Sequence, residues 1–244
     1  MRPNADPLGV NANDFVLAQG LRDTRGTFEA WQRGRWSVLG AWSALSLAIA
    51  CALLTATWVV ASLSQPDLTA ISLPGITRHV DLLDFLHILL RNGTVLAFHA
   101  TACVAGFIAG ASMPLAAQAR TGFSRWIHVK AGEFAILFVV GVTLFSLSIQ
   151  AWILGFQAST IAYQLHISDL QLVLSVLPQA LIELTALFLP LAAWILASRK
   201  GEWNQLLAAT VVTVVIAIPM LLLAAVIELF LWPQILISIS PVLS

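Results

Sequence analysis

The stretch SVLPQALIELTALFLPLAAW, residues 175–194, decides the fold of this chain. Its length and apolar character are those of an α-helix that crosses the hydrocarbon core of a bilayer. Glu183 lies in the middle of it, and Glu228 lies in a second such stretch, IPMLLLAAVIELFLWPQIL, residues 218–236. A carboxylate at membrane depth costs a few kcal/mol, so it normally faces a partner, a cavity or a neighbouring helix. The two stretches therefore predict a membrane helix bundle with a polar interior.

The composition of the 244 residues excludes most soluble classes of protein. Hydrophobic residues make up 59% of the chain and charged residues 10%, whereas soluble domains carry about 25% charged residues. We therefore expect one membrane domain without a separate soluble enzyme. A formal net charge of zero argues against binding to nucleic acid. The two cysteines, Cys51 and Cys103, lie in apolar runs, and no nucleotide or thiol-metal motif is present, so we expect neither a disulfide, a cofactor nor a metal.

Five segments are long and apolar enough to span a membrane, which predicts an all-α polytopic helix bundle. They cover about residues 37–64, 94–119, 134–165, 172–197 and 206–237. The third and fifth exceed the length that one perpendicular helix needs. Either these helices tilt, or one contains a break, for which Gly155 and Pro219 are the candidates. The first apolar run follows 35 mostly polar residues and is too long for a signal peptide, so it is expected to remain as an anchor.

Lys and Arg residues predict the orientation of the spans. With the amino terminus in the cytoplasm, ten of the twelve lie on the cytoplasmic side: Arg2, Arg22, Arg25, Arg33, Arg35, Arg120, Arg125, Lys130, Arg199 and Lys200. The opposite side holds Arg78 and Arg91. This positive-inside bias predicts a cytoplasmic amino terminus and an external carboxyl terminus.

Two segments outside the predicted spans have amphipathic patterns. In the first, residues 13–35, apolar side chains share one helical face and arginines lie away from it, which predicts an interfacial helix before the membrane domain, residues 36–244. Glycines at positions 20, 26 and 34 leave a frayed tail as the alternative. In the second, DLLDFLHILLRN, residues 81–92, charged residues recur at helical spacing against leucines. This pattern predicts an amphipathic lead-in to the second span.

A polar stripe runs along the predicted third helix. Its members recur at helical spacing among Phe, Leu, Ile and Val: Thr143, Ser146, Gln150, Gln157, Thr160 and Gln164. Unmet polar groups in hydrocarbon cost several kcal/mol, so the stripe is expected to face protein or water. Interhelical hydrogen bonding is the simpler interpretation, and a substrate or ion path is the alternative.

Small residues on the second span predict close helix packing. Ala102, Gly106 and Gly110 form a ridge that lets another helix approach, within the bundle or as the seam of a homodimer. His99, one turn from Cys103, is interpreted as a hydrogen-bonded packing residue.

The two glutamates are predicted to lie in the outer half of the bilayer, together with His99, Gln157 and Gln164. They either pair helices structurally or share a pocket of the kind that proton-coupled carriers use. We expect the Glu183 carboxylate to bond a polar group of another helix, and its candidate partners are Gln150, Gln157, His99 and Asn92.

Three of these segments resemble one bacterial protein family. LPQALIELTALFL, residues 177–189, is similar to the Leu-Pro-His-Gly-X-X-Glu-Leu segment of the stage II sporulation protein M family, and LLLAAVIELFLWP, residues 221–233, resembles its Ala-Ala-X-Ile-Glu-X-Phe-X-X-Pro segment. ILLRNGTVLAF, residues 88–98, with Asn92, is similar to its Asn-Asn entry into an earlier span. The family has His-Gly where this chain has Gln179-Ala180, so a role that needs an imidazole is not expected here.

The resemblance implies a multipass protein of the bacterial cytoplasmic membrane that docks partner proteins. In endospore formers such a protein anchors cell-wall remodelling enzymes. The alternative is the membrane subunit of a transporter for a peptide or small molecule, since an amino-terminal interfacial helix before a small bundle is similar to the permease half of an ABC exporter. Its partner would be an ATP-binding-cassette ATPase. The candidate polar and partner-binding residues are Glu183, Glu228, Gln150, Gln157, Gln164, His99, Asn92 and Gln179.

Overall fold

The computed structural model of the protein describes residues 16–31, 35–69 and 72–243, and this part of the chain contains helices and connections but no β-strand. The helices are α1 (Val16–Trp31), α2 (Arg35–Leu63), α3 (Leu82–Ala116), α4 (Gly122–Gln164), α5 (Asp169–Lys200) and α6 (Trp203–Ile239). Five of them, α2 to α6, are long and apolar enough to cross a membrane. The prediction of an all-α bundle with five spans is therefore confirmed.

Helix α5 is the centre of the bundle. It packs against α2, α3 and α6, and 61% of its most apolar stretch is buried, compared with 6% for α4. The core around it is built of leucines and one phenylalanine from all four helices: Leu53, Leu54, Leu96, Leu184, Leu187, Phe188, Leu191 and Leu221. Helix α4 lies at the edge, mainly along α2, and leaves most of its apolar surface to the surrounding lipid.

Capping boxes fix where two of the helices begin. The Asp81 carboxylate accepts the Asp84 N–H at 2.9 Å, and the Asp84 carboxylate accepts the Asp81 N–H at 3.0 Å. Ser168 and Gln171 form the same arrangement at the start of α5. Because such boxes satisfy the free N–H groups of the first turn, they stabilise a helix start at that point. The amphipathic segment 81–92 is thus the first part of α3, and this helix begins at Leu82 rather than at residue 94.

The candidate breaks at Gly155 and Pro219 are wrong, because α4 and α6 are continuous at both residues. Instead, π turns occur at Ile108–Ser112 in α3 and at Ile227–Leu231 in α6, just before Pro114 and Pro233. A proline has no N–H and its ring displaces the carbonyl four residues earlier, and a π turn accommodates both effects. Helix α4 begins at Gly122, and its 43 residues measure about 65 Å, twice the thickness of the hydrocarbon core.

Helix α1 packs on one end of the bundle, against α6. The Trp31 indole N–H donates to the Gln205 side chain at 3.3 Å, and its ring meets that of Trp42 edge-on at 5.2 Å. Gly20 is buried where Leu207 approaches it closely, so this glycine permits packing rather than fraying the helix. Of the predicted interfacial segment, residues 13–15 and 32–34 lie outside the described residues, as do Arg2 and Arg33 of the charge count.

Candidate functional site

A cavity of about 200 Å³ lies among α2, α3, α4, α5 and α6. We call it the polar cavity because its lining includes six charged or polar side chains: Thr57, Arg91, Gln157, Gln179, Glu183 and Glu228. The rest of its wall is apolar and includes Leu54, Leu184 and Trp232. Glu183 lies about 21 Å along α5 from its first residue, which places the cavity well within the membrane-spanning part of the bundle.

Three formal charges face this cavity from three different helices. Glu183 belongs to α5, Glu228 to the π turn of α6, and Arg91 to α3. The Glu183 carboxylate interacts electrostatically with both Glu228 and Arg91, and Glu228 interacts with Arg91. Within residues 16–31, 35–69 and 72–243, neither carboxylate is in a direct ion pair. The two carboxyl groups of the lining therefore outnumber its one guanidinium, and neither of them forms a direct ion pair with it.

Several polar atoms around the cavity have no hydrogen-bond partner in the protein. They are Thr57 Oγ1, Asn92 Nδ2, Gln179 Oε1 and Glu228 Oε2. Gln179 is only 4% exposed and Asn92 only 2%. A buried polar atom without a partner costs about 1–3 kcal/mol, and such atoms are rare in native proteins. Three of them, those of Thr57, Gln179 and Glu228, line one cavity, which indicates that the protein alone does not satisfy this site.

Local sequence explains how the glutamates reach the cavity. The π turn that precedes Pro233 carries Glu228, and π turns are frequent at functional sites. Pro178 lies inside α5, where it removes one main-chain hydrogen bond in the turn before Gln179 and Glu183. The Trp232 indole donates to Ser175 Oγ at 3.0 Å and so joins α6 to α5 beside the cavity.

The polar stripe of α4 does not face a single path. Gln157 lines the polar cavity, whereas Gln150 lines a second opening with Thr143 and Ser146. Gln164 donates to the Thr69 carbonyl at 2.6 Å and thus binds the 64–81 connection. Successive glutamines of the stripe are about 10 Å apart along the helix, and α4 meets a different neighbour at each level. The stripe therefore does not line one continuous substrate path.

The second opening is a cleft of about 460 Å³ between α3 and α4, which we call the lateral cleft. His99 lines it, with its ring edge-on to Phe188 at 5.6 Å and its Nδ1 without a hydrogen-bond partner. Of the four partners predicted for Glu183, His99 and Gln150 therefore face this other cleft. Gln157 shares the polar cavity with Glu183, and the Asn92 amide interacts with its carboxylate, although Nδ2 lacks a hydrogen bond of standard geometry.

The small-residue ridge of α3 packs within the bundle. A β-carbon at Gly106 would lie 2.6 Å from the Trp194 indole nitrogen, and one at Gly110 would overlap the Trp203 ring. Ala102 lines the lateral cleft. Tryptophans of the same chain thus cover Gly106 and Gly110, so these two residues are not free to form a homodimer seam.

The described residues of the 64–81 connection, which exclude 70 and 71, are held against the helices at the end of the bundle near the polar cavity. The Asp67 N–H donates to Thr160 Oγ1 at 3.0 Å, and Gly75 lies close enough to Pro233 that a β-carbon there would be 2.8 Å from the proline ring. Hydrogen bonds from Thr69 hold the pKa of Asp67 below its usual range. Arg78 forms an ion pair with Asp84 of the α3 capping box.

Two residues of the polar cavity were missed by reasoning from the sequence. Arg91 was interpreted only as an external basic residue of the amphipathic segment 81–92, although its position beside Asn92 was the signal that could have placed it at the site. Thr57 carries no signal, because a lone threonine in an apolar span usually bonds its own helix. Within the described part of the chain, no three His, Cys, Asp or Glu side chains come near enough to hold a metal ion together.

In comparisons with protein-family models, curated proteins and solved structures, the chain has no significant match.

Proposed function

We propose that the protein is a non-enzymatic scaffold of the bacterial cytoplasmic membrane, of the stage II sporulation protein M type. One observation carries this proposal: the three segments on which the resemblance rests converge in space. Residues 88–98, 177–189 and 221–233 contribute Arg91, Glu183 and Glu228, respectively, to the polar cavity. The segments that carry the resemblance therefore share one site in the fold.

The lateral cleft is the surface that suits a partner within the membrane. Thr143, Ser146 and Gln150 present hydroxyl and amide groups from α4, opposite small residues of α3. Gln150 Nε2 donates to Ser146 Oγ at 3.1 Å, which leaves the amide oxygen available to a second chain. Polar groups on a face open to lipid gain hydrogen bonds when another helix covers them. A transmembrane helix of an envelope protein would do so, and the 64–81 connection would contact its external part.

The proposed orientation has the amino terminus in the cytoplasm. The described basic residues other than Arg78 and Arg91 lie at the end of the bundle that carries α1 and the connections around 120 and 201. A single cysteine introduced at Ser124, in a chain whose two native cysteines are replaced, should react with a membrane-impermeant maleimide only after the cells are permeabilised. Labelling of intact cells at this position would reverse the orientation.

Site-specific photo-crosslinking tests the docking function. A photoreactive amino acid at Thr143 in the lateral cleft should give an adduct with a defined envelope protein, identified by mass spectrometry. The matched control is Leu137 on the same helix, which is 72% exposed on the surface of the bundle. The adduct should disappear in Gln150→Leu and persist in the control variant Gln234→Leu. Identical adducts from both probe positions would contradict the scaffold. So would an experiment in which the only crosslinked protein is a second copy of this chain.

A second candidate function, the membrane subunit of a transporter, is favoured by the polar cavity itself. Ionisable groups inside a bundle commonly mark substrate or ion pathways. The transporter would need an ion gradient or an ATP-binding-cassette ATPase, and α1 lies at the end of the bundle proposed to be cytoplasmic. Purification in mild detergent distinguishes the two: a co-purified ATPase favours transport, whereas a cell-wall hydrolase favours the scaffold.

A further inference from the structure

We infer that the polar cavity is a binding site for one alkali-metal cation such as Na⁺. The inference goes beyond the proposed docking function, because it concerns a cavity inside the bundle rather than the lateral cleft. It holds whether the protein docks partners or transports a solute.

The unpartnered atoms in the cavity wall supply the first step of the argument. Thr57 Oγ1, Gln179 Oε1 and Glu228 Oε2 are all oxygens, and all three lack a hydrogen-bond partner. They come from α2, α5 and α6 and line the same cavity. Only 4% of the Gln179 surface is exposed, so bulk water does not satisfy its amide oxygen. Hydroxyl, amide and carboxylate oxygens are the ligands that hard cations take in proteins.

The charge of the site supplies the second step. Glu183, Glu228 and Arg91 are the formal charges in its lining, so the site carries one net negative charge when all three are ionised. An uncompensated charge inside a membrane protein is costly, and one monovalent cation would neutralise it. A divalent cation would reverse the sign of the charge. The described residues also lack the cluster of three strong ligands that such an ion prefers.

The shape of the site supplies the third step. A volume of about 200 Å³ is large enough for one small cation with several waters, each of which occupies about 30 Å³. Arg91 lines the cavity although much of its surface is exposed, so the cavity opens to the outside of the bundle beside this guanidinium. The amide of Asn92 and the guanidinium would hold the Glu183 carboxylate, and Glu228 would face the ion.

The test is the thermal unfolding of the purified full chain in detergent, with the same sodium series run at each of two fixed pH values. Nine tryptophans provide the fluorescence signal. NaCl is raised to 300 mM while N-methylglucamine chloride keeps the ionic strength constant. A ligand that binds only the folded state raises Tm, by about 5 °C or more when its concentration is ~100 times Kd. Equilibrium dialysis with ²²Na⁺ should give one bound ion per chain.

Four variants connect the effect to the cavity. Glu228→Gln and Gln179→Leu should lose the sodium-dependent rise in Tm. Their matched controls, Glu133→Gln and Gln150→Leu, should retain it, because these residues lie outside the polar cavity. No Na⁺-specific rise in the parent chain, or equal rises in all four variants, would overturn the inference. So would a Tm that depends on pH but not on Na⁺, since the cavity would then take a proton. If a cavity variant does not fold, the dialysis result on the parent chain decides alone.

Discussion

Substitution of Gly155 by alanine tests how closely α4 packs on α2 beside the polar cavity. A β-carbon at this position would lie 2.6 Å from Val60 Cβ, 2.7 Å from Val60 Cγ1 and 2.8 Å from the Thr57 carbonyl oxygen. None of these atoms is the free end of a flexible side chain. The two helices would therefore have to separate, and overpacking of this kind typically costs about 1–3 kcal/mol. For a chain of this size we expect Tm to fall by about 2–6 °C.

The assay is tryptophan-fluorescence melting in detergent, with Gly141→Ala as the control in the same helix. Nothing lies within 4 Å of a β-carbon at Gly141, so this substitution should leave Tm unchanged or raise it slightly, since alanine favours a helix over glycine. Because Thr57 and Gln157 line the polar cavity from the two helices, Gly155→Ala should also weaken ²²Na⁺ binding. Equal Tm values for the two alanine variants would refute the close packing of α4 on α2.

The number of spans could be predicted because each is encoded in a contiguous run of residues. Apolar length alone identifies α2, α5 and α6 with limits close to those observed. The limits of α3 and α4 could not be read in this way. Their first turns are amphipathic or charged, so hydropathy assigns these turns to loops, whereas the Asp81 capping box and main-chain hydrogen bonding continue the helix through them.

Four of the six polar residues that line the polar cavity could be predicted, but their grouping could not. A carboxylate or amide in an apolar run must face protein, which identified Glu183, Glu228, Gln179 and Gln157 as interior residues. Which of them share a cavity depends on how each helix is rotated about its axis. Side-chain packing between helices determines that rotation, for example the indole of Trp194 over Gly106. No periodicity within one helix contains this information.

Proline was misread for a related reason. A proline within an apolar run was taken as a candidate break at position 219, yet the helix continues through that residue. The π turns instead precede Pro114 and Pro233, near helix ends, where an extra residue in the turn costs little packing. The same change of geometry sets the direction of Glu228, so the local deviation from α-helix and the candidate site have a common origin in the sequence.

Substitutions at three further positions have defined expected outcomes in the same melting assay. Gly110→Ala should lower the free energy of unfolding by about 1–3 kcal/mol, because its β-carbon would overlap the Trp203 ring. The double variant with Trp203→Ala should lose less stability than the sum of the two single variants. Strictly additive losses would contradict this contact. Ser240→Ala removes a buried hydroxyl that donates to a main-chain carbonyl at 2.7 Å, and it should cost about 1 kcal/mol, whereas Ser238→Ala on the exposed side of α6 should change little. Glu183→Gln should keep the fold, because an amide can still form hydrogen bonds with the polar groups around it. Glu183→Leu should lower the free energy of unfolding by about 1–3 kcal/mol, because the buried Asn92 amide on α3 would lose the group it faces. If Glu183→Gln unfolds the chain as readily as Glu183→Leu does, the carboxylate is required as a charge and not as a hydrogen-bonding group. If both variants melt like the parent chain, Glu183 makes no interaction that the bundle needs.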